Sequence, residues 1–277
     1  MRIATIRRDE ADSPNMVAND AAILEQVTYE LRAAGAEVIA TKNGTLPAEV
    51  DIILHMSRNA EVLERLRKAE EQGIKVIKVI NNTGAIDNCS RSSFMQILER
   101  ARIPQPRFNI ITDEAGLTSL TYPAWIKRSE GWSTHKDDVC FAKDVHEAIE
   151  VFRAMKERGI DACIHCGHIE GDIIKFYGVG RRFFHHCYPD PEKSKFGLEC
   201  INGKAQHHPF DLEKLKMTIF KAAEALEIDI YGGDCIVNAQ GEFFVIDFND
   251  FPSFSAVRNE AAKEIAAHIM DLKDTIR

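Results

Sequence analysis

The chain has 277 residues, 45% apolar and 28% charged, with 35 Lys and Arg against 43 Asp and Glu for a net charge of −8. That length supports one large domain or two to three small ones and buries enough apolar surface to fold without a disulfide or metal staple. The acidic balance excludes broad nucleic-acid binding, which needs a basic face, but allows a local basic cleft. No apolar run reaches the roughly 18 residues of a membrane span, so no membrane partner is expected, and residues 1–6 are too short for the apolar core of a signal peptide. The seven cysteines, at 89, 140, 163, 166, 187, 200 and 235, are odd in number and scattered. They suit reduced thiols and a cytoplasmic location.

The first hundred residues alternate two periodicities. Residues 3–6 read as a buried strand. Ile23, Leu24, Val27 and Leu31 then recur at helical spacing until Gly35 stops the helix. Strands follow at 38–41 and 52–55, a helix carrying Val62, Leu63 and Leu66 ends near Gly73, and 76–80 forms the next strand. Strands alternating with helices predict a parallel sheet covered on both faces, and no GxGxxG fingerprint accompanies it. A helix over about 90–101 leads into Ile103-Pro104-Gln105-Pro106, where two prolines force extended backbone and suggest an interdomain hinge.

Beyond the hinge, strands are expected at 107–111, 123–127 and 138–141. A helix then presents Val145, Ile149, Phe152 and Met155 on one face. Further strands fall at 162–166, 171–179 and 182–187, before a Pro-, Lys- and Gly-rich loop over roughly 188–207. Asp211 is a good N-cap for a helix whose Leu212, Leu215, Ile219, Ala222 and Leu226 share a face. Residues 230–237 and 242–248 read as a hairpin around Asn238-Ala239-Gln240-Gly241, and a last helix runs from about 256. No internal repeat or low-complexity stretch appears. The expected units are an N-terminal parallel-sheet domain (1–88), a small subdomain (89–170) and a C-terminal subdomain carrying the hairpin (171–277).

The hairpin is the most informative segment. With its turn centred near residue 240, Asp234 falls opposite Asp247. Alternation places Asp247 and Asn249 on one face and Phe244, Ile246 and Phe248 in the core. Directly opposed side chains lie about 5 Å apart, where like charges repel and a divalent cation relieves them. Two carboxylates and an amide oxygen make a hard oxygen site of the Mg²⁺ type. Two exposed polar residues of an ordinary hairpin would show the same alternation.

Taken in order along the chain, these motifs resemble the ATP-grasp superfamily. Gly233-Asp234-Cys235-Ile236 and Val245-Ile246-Asp247-Phe248-Asn249 are similar to its two-part metal signature, which implies Mg²⁺, or Mn²⁺, on Asp234, Asp247 and Asn249. Ala85-Ile86 through Arg91 and on to the Pro-rich hinge resembles the approach to the nucleotide-binding half. Pro123-Ala124-Trp125-Ile126-Lys127 is similar to the strand whose Lys reaches the ATP phosphates. Cys166-Gly167-His168-Ile169-Glu170-Gly171 stands where the adenine-contacting hinge belongs, and Lys175 matches the basic residue of the next strand. The sequence departs from the family pattern at Arg91, usually Lys, at Gly167, usually an acid, and at Ser253, usually Gly. The lid Arg128-Ser129-Glu130-Gly131-Trp132-Ser133 has one glycine, Gly131, where several are usual. Arg still holds charge and Ser still donates a hydrogen bond. The resemblance implies an α/β ATP-grasp fold, with ATP between the two later subdomains and an acceptor held against the first.

Without the resemblance, Lys127 at a strand end would be read as snorkelling to the surface. Cys163, His165, Cys166 and His168 do not converge as a zinc site, because strand alternation splits them between two faces. The pairs His185-His186 and His207-His208 have no ligand partners at metal spacing and read as solvent-facing. Arg7, Arg8 and Arg58 follow strands of the parallel sheet, where ligands of open α/β sheets bind. With Arg181, Arg182 and Arg258 they are candidates to grip an anionic acceptor. Lys175, Arg181 and Arg258 are the residues expected to act on the reacting groups.

The resulting expectation is an ATP- and Mg²⁺-dependent carboxylate–amine (or thiol) ligase similar to the glutathione synthetase and RimK-like branch. It would act through an acyl phosphate on a small anionic substrate, and self-association into a homo-oligomer is compatible with the sequence. Asp247-Phe248-Asn249-Asp250-Phe251-Pro252 is also similar to a stretch of ATP-grasp inositol phosphate kinases. A small-molecule kinase is therefore the alternative, and a nucleotide-binding protein without catalysis the third.

Overall fold

The structure, a computed structural model, describes residues 1–41, 45–47, 49–72, 78–190 and 201–272. Its first sheet is parallel, in the order β2-β1-β3-β4, from β1 (Arg2–Ile6), β2 (Glu37–Thr41), β3 (Ile52–His55) and β4 (Lys78–Ile80). The central strands β1 and β3 are largely apolar because both faces are covered, while edge strand β2 exposes Glu37 and Ala40. Helix α2 (Ala60–Gln72) seals Ala4, Ile6, Ile53 and Val79 on one face. Helix α1 (Val17–Ala33) covers Ile3, Ile52 and Leu54 on the other. The start of the strand expected at 76–80, and Gly73, lie outside the described residues. The helix expected from about 90 is preceded by a short one. Here α3 (Thr83–Asn88), capped by Asn82 accepting from the Ala85 amide, leads into α4 (Arg91–Arg100).

The second sheet is antiparallel, in the order β5-β8-β6-β7: β5 (Phe108–Ile111), β8 (Cys163–Gly167), β6 (Ala124–Arg128) and β7 (Val139–Ala142). Helix α5 (Val145–Glu157) starts at Asp144, whose side chain caps the His146 and Glu147 amides, and buries Phe152 and Met155 against one face. The third sheet, also antiparallel, runs β10-β9-β11-β12: β10 (Phe183–Cys187), β9 (Asp172–Val179), β11 (Ile230–Val237) and β12 (Phe243–Asp250). One face packs on α6 (Leu212–Ala225), which Asp211 caps at the Lys214 amide, 2.9 Å away. Leu212 at its start is 39% exposed and leaves the buried face to Leu215 and Ile219.

The last helix, α7 (Arg258–Asp271), returns to the first sheet and packs on α1, so the N-terminal sheet and the C-terminal strands share one core. Pro104 ties the hinge segment to the third sheet, its carbonyl accepting from the Val245 amide at 2.9 Å. Half of the loop expected at 188–207, residues 191–200 with Cys200, lies outside the described residues; the other six cysteines are free. Among the described residues no helix is long and apolar enough to cross a membrane.

Candidate functional site

Two antiparallel sheets face each other across a slot of about 160 Å³. Its apolar walls come from alternate positions on each sheet: Trp125 and Cys166 on one, Ile173, Ile236 and Ile246 on the other. Gly167 and Ile169 close one end at the β8–β9 turn. Arg91, Lys127, Asp234 and Asp247 stand at the other, where the slot opens into a cleft of about 990 Å³.

Asp234 pairs with Asp247 in the β11–β12 ladder, as the turn position predicts. Gly233 permits this close approach, since a Cβ there would lie 2.2 Å from the Asp247 carbonyl oxygen. Phe244 and Ile246 are not in the core as expected. A β-bulge between Asp234 and Cys235 shifts the register, so Phe243 and Val245 are buried instead and Ile246 turns into the slot. Phe248 keeps its core position. Lys175 Nζ lies 3.0 Å from Asp234 Oδ1, and Asn249 Nδ2 donates to Asp247 Oδ2 at 2.8 Å. This bond turns Asn249 Oδ1 away from Asp247. Asp247 Oδ1 and Asn249 Oδ1 carry no hydrogen bond among the described residues. Such a set of hard oxygens beside a second carboxylate fits a divalent cation.

Lys127 does not snorkel. It is 7% exposed, with Nζ 3.3 Å from the Ile246 carbonyl oxygen across the slot. Arg91 is buried at the start of α4 and bonded to Arg128 O (3.1 Å) and Ser133 Oγ (3.0 Å), which fixes the lid over the slot mouth. Gly131 lines the cleft with φ +69°, a conformation glycine adopts without strain. Its neighbour Trp132 lies beneath the Arg58 guanidinium, 4.7 Å from ring centroid to Cζ, so the lid rests on the N-terminal domain.

Cys166, Gly167 and Ile169 line the slot. His168 and Glu170 do not. His168 Nδ1 accepts from Trp125 Nε1 at 3.1 Å, and burial lowers its pKa, which favours the neutral ring this bond requires. It orients the Trp125 wall rather than forming one. Glu170 is exposed beyond the slot. Burial pushes the Cys166 thiol up, against the nearby Lys127.

The arginines separate clearly. Arg181 lies at the β9–β10 turn, exposed and paired with Glu224 at 2.7 Å, and Arg182 pairs with Glu264 and Asp271. A hairpin tip projects away from the cleft, so neither reaches it. Arg7 pairs with Glu25 at the surface. Arg258 lines the cleft, donates to Asn19 Oδ1 at 2.8 Å, and has a buried Nε without a partner. Arg8 and Arg58 line the cleft as well, but their guanidiniums converge on Asp250 Oδ2 (3.0 Å) and Oδ1 (2.5 Å). Asp250 is fully buried, and Arg8 also contacts Asp20 at 3.3 Å. Burial alone would raise the Asp250 carboxyl, but Arg58 and Arg8 outweigh it and hold it below the usual carboxylate range. His185 and His186 are half-buried on β10, where His185 lies beside Tyr177.

Two residues here carried no role in the sequence reading. Asp250 follows Asn249, and its place one alternation beyond buried Phe248 marks a carboxylate on a core face. Asn202 lines the slot from the segment after β10 and has no local signal.

No family model matches the sequence, and no curated protein does either. Solved structures match over the whole chain. A RimK-domain ATP-grasp protein from Sphaerobacter thermophilus superposes with a TM-score of 0.68 at 17% identity, covering 98% of this chain and all of its own. The ATP-grasp ligase PsnB, solved with a minimal precursor, gives 0.63 at 15% identity, covering 99% of each chain. D-alanine–D-alanine ligase from Bacillus anthracis gives 0.65 at 16%, covering all of this chain and 96% of its own. With its parallel sheet and two facing antiparallel sheets, the chain has the ATP-grasp fold over essentially its whole length.

Proposed function

We propose that this protein is an ATP- and Mg²⁺-dependent ligase that joins a carboxylate to an amine or thiol through an acyl phosphate. One observation carries the reading. The opposed Asp234 and Asp247, with Asn249, stand where an apolar slot sized for a base meets a wide polar cleft. The slot takes the adenine, and Lys127 and Arg91 at its mouth neutralise the phosphates. Asp234, Asp247 and Asn249 would hold the Mg²⁺, which when bound offsets charge on the β- and γ-phosphates. Lys175 spans from Asp234 towards the cleft and meets the transferred phosphoryl group. Arg258 presents its guanidinium to a small anionic acceptor in the cleft.

The acceptor carboxylate oxygen attacks the γ-phosphorus and ADP leaves. An amine then attacks the acyl carbon, phosphate leaves, and the amine proton passes to solvent or a base. The chain's own share is positioning and charge stabilisation. Two of the three structural neighbours are named as ligases, which favours this reading over a kinase. Incubation with Mg²⁺-ATP and a panel of carboxylates, with and without amines, tests it. Amine-dependent release of ADP and inorganic phosphate is expected. A stable phosphorylated product would make the protein a kinase, and ATP binding without turnover a non-catalytic one.

A further inference from the structure

The segment joining β1 to α1 runs past the carboxyl end of the parallel sheet and lines the wide cleft with Asp12, Ser13 and Asp20. Its backbone is fixed. The Asp12 and Ser13 amides close a single helical turn on the Asp9 (3.0 Å) and Glu10 (3.1 Å) carbonyls, and Ser13 Oγ donates to Asp20 Oδ2 at 2.5 Å.

The charges around this segment are matched. Arg8 and Arg58 are answered by Asp20 and Asp250. Further along the wall, Asp234 faces Lys175 and Asp247 accepts from Asn249. Asp12 makes no hydrogen bond and no ion pair among the described residues. It is half-buried, and it leaves one unmatched carboxylate on the cleft wall. Burial raises the Asp12 pKa, and Asp9 and Asp250 add to this while Arg58 and Arg8 oppose it. A carboxylate held above its usual range is a stronger base than an exposed one.

We infer that Asp12 receives the incoming nucleophile, selects an amine over a thiol, and takes the proton that the nitrogen gives up. An ammonium is drawn to an unmatched carboxylate. A thiol attacks as its thiolate, an anion that the same carboxylate repels. The bound ammonium first loses one proton to solvent. The free amine then gives its lone pair to the acyl carbon, and phosphate leaves with the electrons of the carbon–oxygen bond. The nitrogen, positively charged once bonded, releases a proton to an Asp12 oxygen, and the carboxyl returns it to solvent.

This inference rests on the ligase reading above and decides between the two nucleophiles which that reading leaves open. The full chain is incubated at neutral pH with Mg²⁺-ATP and the carboxylate that gives most ADP release in the panel. Ethanolamine or 2-mercaptoethanol is added; the two share a skeleton and differ in the nucleophile. Mass spectrometry reads the products, and amide should exceed thioester by at least about tenfold. Asp12→Asn keeps the shape and removes the charge. It should lower kcat/KM for ethanolamine by at least about tenfold and raise thioester relative to amide, with the KM for the carboxylate unchanged. Hydroxylamine, a small nucleophile uncharged at neutral pH, should lose less, because no ammonium has to be held. Thioester equal to amide on the unaltered protein overturns the assignment, and this arm stands even if the variant fails to fold. An unaffected variant overturns it too. So does an equal loss with ethanolamine and hydroxylamine, which would make Asp12 a support of the cleft, or a raised KM for the carboxylate, which would seat the acceptor there instead. If no carboxylate gives ADP release with any of the three nucleophiles, the ligase reading itself is wrong and this inference falls with it.

Discussion

Arg58 holds Asp250 through Nε at 2.9 Å and Nη2 at 2.5 Å, both on Oδ1, while Arg8 takes Oδ2 of the same carboxylate. The contact joins the carboxyl end of β3 to the residue after Asn249, and it seats the carboxylate hairpin on the N-terminal sheet. Through the Arg58–Trp132 stack it reaches the lid as well. The basic residues beyond the parallel strands thus serve first to assemble the cleft.

Asp250→Ala should strip the Arg58 guanidinium of its carboxylate and leave Arg8 with Asp20 alone. Breaking a buried ion pair by removing one partner costs about 3–5 kcal/mol. A denaturant unfolding midpoint that falls sharply is the expected result. Asp250→Asn, which keeps two acceptor positions on one oxygen, should cost less. An unchanged midpoint for the alanine variant would mean the guanidiniums find water in the cleft.

Lys127→Ala should weaken ATP binding with the fold intact. A charge-assisted hydrogen bond contributes about 1.5–3 kcal/mol, and Lys127 is aimed into the slot rather than at solvent. Calorimetric titration with ATP reads the loss, and a thermal melt checks the fold. Wild-type affinity in this variant would move the phosphates away from Lys127.

Asp247→Asn removes one of two opposed negative charges at nearly constant shape. Stability without metal should stay level or rise slightly, while Mg²⁺-dependent turnover falls sharply. A carboxylate that only supports the hairpin would give the reverse, with lost stability and preserved turnover per folded molecule. Melts in the absence of metal, beside Mg²⁺ titrations of ADP release, separate the two.

His55 is fully buried at the end of β3, its Nε2 donating to Asn81 O at 2.7 Å. Burial lowers its pKa, partly opposed by that carbonyl. The unfolded chain therefore takes up the His55 proton at higher pH than the folded protein. Stability contributed by the neutral ring is complete above about pH 6.5 and is lost as the pH falls from there through the lower folded value. His55→Gln should flatten this part of the stability–pH curve, read as melting temperature across a pH series. An unaltered slope would assign the acid sensitivity to other buried histidines such as His165, whose pKa is also lowered by burial.

Much of the fold is legible along the chain because its signals are local. Gly35 ends α1, Asp211 caps α6, and the alternation of strand and helix yields the parallel sheet. The turn near residue 240 sets Asp234 against Asp247, since hairpin register depends on a few neighbouring residues. The phase beyond the bulge is not legible in the same way. One extra residue moves Ile246 from the expected core to the slot, and nothing in its immediate neighbours announces the insertion.

The arginines show the same division. Sequence places Arg8, Arg58, Arg181 and Arg258 in the same class, as candidates to grip an anionic acceptor. Tertiary structure sends Arg8 and Arg58 to one buried carboxylate, leaves Arg258 in the cleft and puts Arg181 at a hairpin tip. Asn202 acquires its place only through its bonds to the Ile169 and Gly171 carbonyls at the β8–β9 turn, more than 30 residues away in the chain. The sequence by itself determined most of the helices and strands, the parallel first sheet and the opposed pair of carboxylates, all governed by periodicity, capping and short-range pairing. Only the tertiary structure decided which charges are buried together and which groups face the slot, because those depend on contacts between residues far apart in the chain, such as Arg58 and Asp250.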